Sequence, residues 1–444
     1  MTQTIAKPAQ DQQTAEWQTV KLGDLVDIKH GYAFKGEYFR ESPPGDLLVT
    51  PGNFLIGGGF NASKYKYYNG DAPNEFVLHE GDLIVTMTDL SKASDTLGYA
   101  ALVPKSFGPR FLHNQRIGRV HIKPDVRVDQ LYLYFLLRSE KYRNEVLASA
   151  TGTTVKHTSP GRILAFEFQL PSFLEQRSIA SVLGSFDNKI ELNRQMNETL
   201  EQTMQALFKS WFVDFDQVHA KAEGRDTGLP KEIADLFPDS FEDSTLGEIP
   251  KGWGVGKLSD VVKNLRRGVQ PERIDSSTPY IGLEHMPRHC IALSEWAHAS
   301  ELGSNKFEFK RGEILFGKLR PYFHKVGVAP VDGVCSTDIL VVAPTEKEWF
   351  GFALGHLSSV DLINYTSAGS TGTKMPRTSW GEMARYPIVL PPTSIAAIFT
   401  SIVAPSVEKI IANIRESKTL PEIRDSLLPE LLSGKVKATT YAAS

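Results

Sequence analysis

From residue 171 to about 216, apolar side chains recur at alternating intervals of four and three: Ile179, Leu183, Phe186 and Ile190, then the amides Asn193 and Asn197, then Leu200, Met204, Leu207 and Trp211. That is the stripe of a helix laid along a partner and sustained over several heptads. About 40 helical residues at ~1.5 Å each reach roughly 60 Å, too long and too narrowly striped for an ordinary domain helix. The stripe returns at an offset of 220 (171 to 391) as Phe399, Val403, Ser406, Ile410, Asn413, Ser417, Leu420, Arg424, Leu427 and Leu431. Pro405, Pro421 and Pro429 fall inside this second copy. Each removes a backbone donor and crowds the preceding turn, so the distal helix (391–434) is expected to kink or restart where the central one (171–216) runs through.

Both stripes turn polar at the same two layers, Asn193 and Asn197 in one, Asn413 and Ser417 in the other. Buried amides cost stability but fix register, because any other alignment leaves them unpaired. Two packings are open. Each helix can lie on its own globular unit, or the two can pack antiparallel on each other as a coiled-coil spacer. In the second case Ile179, Leu183, Phe186, Ile190, Asn193, Asn197 and Leu200 face Phe399, Val403, Ile410, Asn413 and Leu420.

The rest of the pattern is mixed. Asp46 to Thr50, Asp82 to Thr86 and Arg119 to Ile122 read as strands, with turns at Pro43-Pro44, Gly57-Gly58-Gly59 and Asn69-Gly70, and a helix is expected from Val128 to Ala148. Residues 17–170 thus form one mixed α/β globular unit. A second spans 247–390, with strands expected at Tyr280 to Leu283, Gly312 to Phe316 and Asp338 to Val342 and a helix from Trp349 to Tyr365. Thr151-Gly152-Thr153 and Thr371-Gly372-Thr373 share the 220 offset, whereas Lys21-Leu22, Asp24 and Val26 return as Lys257-Leu258, Asp260 and Val262 at 236 (21 to 257). The length changes therefore lie within the globular units, where loops absorb them. Residues 217–246 read as a connector, 1–16 as a flexible leader and 435–444 as a flexible tail. The fold class is α+β: two globular units in pseudo-two-fold arrangement with two long antiparallel helices as spacer.

Composition is ordinary for a 444-residue chain, 41% hydrophobic and 23% charged, so disorder is not the default. The leader lacks the basic and apolar regions of a signal peptide, and the longest apolar run, Ile395 to Ala404, is about half what a bilayer needs; a soluble, cytoplasmic protein without membrane contact is expected. Cys290 and Cys335 are the only cysteines and have no metal spacing. No phosphate-binding glycine loop occurs, and no Asn-Pro-Pro-aromatic motif of an amino-methyltransferase. Glu308-Phe309-Lys310 has the form of a nuclease tripeptide but is common by chance. His285 and His289 flank Pro287 and cannot share a helical face, and His113 and His121 stand unaccompanied. No nucleophile, base and electrophile assemble, so a non-catalytic chain is expected, with no metal site.

A net charge of −3 gives no global footprint for nucleic acid, so such a role must rest on local clusters. Arg110, Arg116 and Arg119, with Asn114 and Gln115 between, fall in a stretch free of acids. Arg266, Arg267, Gln270 and Arg273 form a second group; Lys318, Arg320 and Tyr322 a third. Each Thr-Gly-Thr segment is followed by bases: Lys156, His157 and Arg162 in the first unit, Lys374 and Arg377 in the second. Arginine and lysine suit phosphates, and arginine, asparagine and glutamine also bond base edges, so these are the candidate DNA-binding residues.

Leu170-Pro171-Ser172-Phe173-Leu174-Glu175-Gln176-Arg177-Ser178-Ile179-Ala180, followed by Leu207-Phe208-Lys209-Ser210-Trp211-Phe212-Val213-Asp214-Phe215-Asp216, resembles the central region of type I restriction-modification specificity subunits. Gly247-Glu248-Ile249-Pro250-Lys251-Gly252-Trp253 and the ending Leu427-Leu428-Pro429-Glu430-Leu431-Leu432-Ser433-Gly434 resemble that family too. The distal copy departs from the central one: Pro391-Pro392-Thr393-Ser394-Ile395 lacks the Glu175-Gln176 pair. The resemblance implies two target-recognition domains, each reading one half of a bipartite, asymmetric site on double-stranded DNA, with the helices setting the gap. It implies two methyltransferase subunits docked on the helices and restriction or translocase subunits that can join them. S-adenosylmethionine, ATP and Mg2+ would belong to those partners, none to this chain. The alternative is a single-chain restriction enzyme or methyltransferase carrying its own recognition domains.

Overall fold

The structure, a computed structural model, describes residues 17–438 apart from 63–64, 90, 92–94, 107, 153–154, 301 and 371–374. Lys374, Thr153, Thr371-Gly372-Thr373, the leader 1–16 and the last six residues of the tail lie outside the described residues. Two compact units emerge: one from the chain up to Asp187 together with residues from Pro421 onward, the other Asn188–Leu420. Each long helix thus contributes a segment to each unit.

In the first unit an antiparallel four-stranded sheet runs in the order Val26–His30, Ile117–Ile122, Leu83–Thr86, Ala100–Leu102. A five-stranded sheet follows the order Phe39–Arg40, Lys66–Tyr68, Asp46–Val49, Phe111–His113, Val77–Leu78, with Phe111–His113 parallel to Asp46–Val49. The second unit repeats the four-stranded order as Val262–Asn264, Ile339–Pro344, Ile314–Gly317, Val326–Val328; its five-stranded sheet runs Gly268–Val269, Lys306–Phe309, Gly333–Cys335, Pro279–Ile281, Ala297–His298, again with one parallel pair, Pro279–Ile281 on Gly333–Cys335, but with its first strand on the opposite edge. The duplication read from the sequence is thus a duplication of topology in the four-stranded sheet and in four strands of the other.

Each expected recognition-domain helix is two. Gln130–Leu136 stops before Glu140–Ser149, and Phe350–Leu357 before Val360–Ala368. The cause is one serine in each copy. The Ser139 hydroxyl accepts from Tyr142 N and donates to Leu136 O; Ser359 does the same with Leu362 N and His356 O. A serine that caps the second helix satisfies donors that a continuous helix would have bonded internally.

The central helix runs Phe173–Phe212, 40 residues. Ser172 and Glu175 form its capping box, Ser172 N donating to the Glu175 carboxylate at 3.0 Å and Glu175 N to Ser172 Oγ at 3.3 Å. Gln176, missing from the distal copy, is buried and takes Asp129 N on Oε1 at 2.9 Å while Nε2 donates to Pro171 O. It pins this helix to its own unit, a task for which the distal copy has buried Ala396 instead.

The distal helix, Thr393–Leu432, is unbroken over 40 residues, against the expectation of a kinked or restarted one. Pro405 and Pro429 stand on the exposed side, where the carbonyls that lose a donor, on exposed Ser401 and Asp425, can take water. The opposite side holds Val403, Val407, Ile410, Ile411 and Ile414 buried in the second unit, and that packing outweighs the local cost of proline. This buried stripe is also wider than a two-position seam, because it seats the helix on a domain as well as on its partner. By length and composition the helix is apolar enough to cross a membrane, but Val403, Val407, Ile410, Ile411 and Ile414 of it are buried in this core.

Within the second unit the two helices pair antiparallel at the polar layers. Asn193 Nδ2 donates to Ser417 Oγ at 3.2 Å and to Glu416 Oε2 at 2.8 Å, and Asn413 Nδ2 donates to Asn197 Oδ1 at 2.8 Å. Ascending one helix descends the other, so both expected packings hold together. Ile179 and Leu183 lie in the first unit's core with Leu428 and Leu431; Phe399, Val403 and Ile410 lie in the second's. Phe186, Ile190, Leu200 and Leu420 are only partly buried.

The connector 217–246 is not a loose linker. It forms the helices Asp216–Ala222 and Lys231–Ala234 and the hairpin strand Phe241–Ser244, and buries Val218 and Phe237 beside Trp211 and Trp253. Its glycines and prolines shape turns, while its few apolar residues anchor it.

Candidate nucleic-acid interface

Both units dock the segment after their Thr-Gly-Thr motif against the chain leaving the third strand of the four-stranded sheet. In the first unit Lys156–His157 pairs antiparallel with Thr88–Asp89. In the second Arg377 bridges Leu319, and Thr378 N donates to Lys318 O at 3.0 Å. His157 and Arg377 stand at equivalent positions, 220 apart.

The chemistry at this shared place differs. In the first unit it is organised by buried Asp89, which accepts from Ser91 N at 2.6 Å, Thr96 Oγ1 at 2.8 Å and Leu97 N at 3.0 Å. Burial alone would raise its carboxyl pKa, but these hydrogen bonds outweigh it and hold the group below the usual range. His157 Nδ1 lies 3.1 Å from Thr88 Oγ1, and Arg162 donates to Thr151 Oγ1 at 3.2 Å. In the second unit the same place is cationic: Lys318, Arg320 and Arg377 converge, with Arg377 on Asp338 at 3.0 Å. Burial lowers the Lys318 pKa, opposed by Asp338 and helped by the charges of Arg377 and Arg266. Tyr322 is 50% exposed beside them.

Other candidates are neutralised by acids distant in sequence. Arg110 is held by Asp46, Nη2 to Oδ2 at 2.6 Å, Arg119 by Asp82 at 2.8 Å, and Arg267 by Glu313. Asn114 is buried and takes Arg116 N on Oδ1 at 3.1 Å, which leaves it a turn-forming role. Gln115, Arg116, Arg266, Gln270 and Arg273 remain exposed. Arg288 escapes a reading of the sequence. Isolated among histidines and a proline, it stacks on Phe323 with its guanidinium 3.9 Å from the ring centroid; only the fold brings it there.

The remaining reactive side chains are structural. His113 is buried, its Nε2 2.9 Å from Ile117 O, and burial lowers its pKa to about 4. Burial pushes the Cys335 thiol up to about 12, and burial with the neighbouring Glu201 does the same for Cys290, so neither is a ready nucleophile. Among the described residues no group of His, Cys, Asp and Glu could hold a metal ion.

Glu201 on the central helix is buried with both carboxylate oxygens 3.0 Å from Ile291 N. Burial raises its pKa more than that hydrogen bond lowers it. The folded state therefore favours the protonated acid, a contribution present in full below the ordinary glutamate range and lost as pH rises through the raised folded value. Glu201→Gln keeps an acceptor for Ile291 N–H. Its melting temperature is expected to rise relative to wild type from about pH 4 to about pH 8, and a pH-independent difference would contradict this account.

A model of the family described as the type I restriction modification DNA specificity domain matches residues 14–202. The MjaIX type I restriction enzyme specificity subunit of Methanocaldococcus jannaschii is 27% identical over 71% of this chain and 71% of its own length. The HindI specificity subunit of Haemophilus influenzae is 27% identical over 69% of this chain and 77% of its own. A type I restriction modification DNA specificity domain is thus recognised over residues 14–202, and most of the chain is similar to type I specificity subunits. The crystal structure of a type I S subunit from M. genitalium shares the fold, with a TM-score of 0.51 at 14% identity over 95% of this chain and 98% of that one.

Proposed function

We propose that each unit reads one half of a bipartite, asymmetric DNA site, that the paired helices set the unread gap, and that two methyltransferase subunits dock on them, with restriction or translocase subunits joining. S-adenosylmethionine, ATP and Mg2+ then act on those partners. The observation that carries the reading is one four-stranded sheet order built twice with different chemistry where the segment after the Thr-Gly-Thr motif docks: a hydrogen-bonded acid at Asp89 in the first unit, cations at Lys318, Arg320 and Arg377 in the second. A repeated scaffold supplies repeated geometry, while unequal surfaces suit unequal half-sites. Helices of 40 residues, roughly 60 Å long, can support half-sites about one ~34 Å DNA turn apart.

The test is to express the chain with a type I methyltransferase subunit and map methylated adenines in the host DNA. Two short fixed blocks separated by a constant gap of unread bases are the expected result. Failure to co-purify with any methyltransferase, combined with no sequence-selective retardation of DNA, would sink the reading.

A further inference from the structure

Three of the four left-handed non-glycine residues among the described residues lie together in the second unit: His289 at φ 52°, Arg320 at 51° and His324 at 50°. Side chains resist that conformation, and it persists only where the surroundings over-determine it. Here they do. Arg320 N donates to Pro376 O at 2.7 Å, Phe323 N to Arg320 O at 2.9 Å, His324 N to Pro321 O at 2.8 Å and His289 N to His324 O at 3.0 Å. The His324 ring is buried, 2.9 Å through Nε2 from Ser358 O and 4.6 Å between centroids from His289. Beneath, Phe323 is clamped by Arg288.

What this rigid turn presents is Tyr322, half exposed, whose ring meets that of Phe323. Beside it, Arg320 has an Nε that is buried without a partner among the described residues. Lys318, Arg266 and Arg377 flank the turn; Asp338 binds Arg377 and acts on Lys318, while Glu284 acts on Lys325. Lys325 is already committed to Leu283 O. A fixed backbone, one projecting aromatic ring and converging cations complement a polyanion with apolar, hydrogen-bonding faces between its charges, which is the description of a DNA groove. Among its described residues the first unit has no such turn. At the equivalent place it has Asp89, bonded to Ser91, Thr96 and Leu97.

Resting on the function proposed above, we propose that the Arg320–His324 turn is the base-reading tip of the second unit, with Tyr322 and the Arg320 guanidinium meeting base edges and Lys318, Arg266 and Arg377 meeting the flanking phosphates. Strain stored in the backbone pre-orders the tip, so binding does not have to fix it.

The test selects DNA from a library randomised over both half-sites and the gap, using the full chain complexed with its methyltransferase subunits. Tyr322→Ala and Arg320→Asn are compared with wild type; asparagine tolerates the left-handed backbone that Arg320 adopts. Both variants are expected to assemble normally, to bind the selected site roughly ten- to a hundredfold more weakly, and to lose preference in one half-site while keeping it in the other. Lys318→Ala with Arg377→Ala is expected to weaken selected and unselected DNA alike and to lower the salt slope by about 1 for each phosphate no longer neutralised. Wild-type-like selection by Tyr322→Ala and Arg320→Asn, or equal loss in both half-sites, overturns this assignment alone. No two-part selection by the wild-type complex overturns the parent reading with it.

Discussion

Asp187→Ala is expected to destabilise the first unit by about 3 kcal/mol. Among the described residues, Asp187 is the carboxylate that two arginines share with little access to water. Arg138 Nη1 reaches its Oδ2 at 3.0 Å with the Arg138 side chain 2% exposed, and Arg424, 10% exposed, binds its Oδ1. Arg138 also donates to Tyr134 Oη at 2.6 Å and to Gly57 O at 2.8 Å, so it cannot swing out to solvent. Gly58 explains the closeness of that last contact: at φ +88° any Cβ would stand 2.6 Å from Arg138 Cγ. Removing the carboxylate therefore strands a buried charge. Because Asp187 is itself 27% exposed, water can enter, which keeps the figure at the low end for a buried pair. Thermal unfolding should register roughly 6–12 °C, and a loss below about 1 kcal/mol contradicts the account. Replacing all three charges together, Arg138→Met, Asp187→Leu and Arg424→Met, is expected to recover most of it, since an apolar trio leaves nothing unpaired.

The second unit solves the same position differently. At the 220 offset Arg138, Asp187 and Arg424 become Ser358, Val407 and Met204, and a cavity of about 300 Å³ lined by Met204, Ser358, Phe208, Phe399 and Val403 occupies the region. The repeats thus diverge in how their helix seats are filled as well as in their loops.

What is legible in the sequence follows from the range over which each signal acts. The helices are legible because a stripe sustained over several heptads averages out local exceptions, and even the three prolines of the distal helix yield to it. Single serines are not. Ser139 and Ser359 break an otherwise helical apolar pattern, and nothing in periodicity separates a capping serine from an exposed one. The connector misleads for a related reason: Val218 and Phe237 are two apolar residues in a polar stretch, and only their burial against Trp211 and Trp253 reveals an anchor. The candidate interface is least legible. A run without acids reads as free positive charge, yet Asp46 lies 64 residues from Arg110, Asp82 37 from Arg119 and Glu313 46 from Arg267. Sheet formation brings these carboxylates home. In the third group the sheet supplies one acid, Asp338, which binds Arg377 at 3.0 Å and acts on Lys318.

Trp211→Ala is expected to cost the second unit about 3–5 kcal/mol. The indole is 1% exposed and meets Phe237 edge-on with centroids 5.1 Å apart, Phe399 at 5.5 Å and Phe212 at 6.1 Å. Its Nε1 has no hydrogen-bond partner among the described residues, so the substitution breaks no polar contact, and the loss is the transfer of the ring plus the cavity it leaves. Three segments meet at that ring: the end of the central helix, the connector through Phe237 and the distal helix through Phe399. None can close the gap without shifting the others. Trp211→Leu imports the side chain that the other copy carries at Leu431 and is expected to restore only part of the stability, because Phe237 belongs to the connector and its ring is shaped to an indole. Hydrogen exchange should place the lost protection in residues 207–240 and the helix around Phe399, leaving the first unit's strands unchanged. A cost under about 1 kcal/mol, or protection lost first in the strands Leu83–Thr86 and Ile117–Ile122, would show that Trp211 does not hold these segments together.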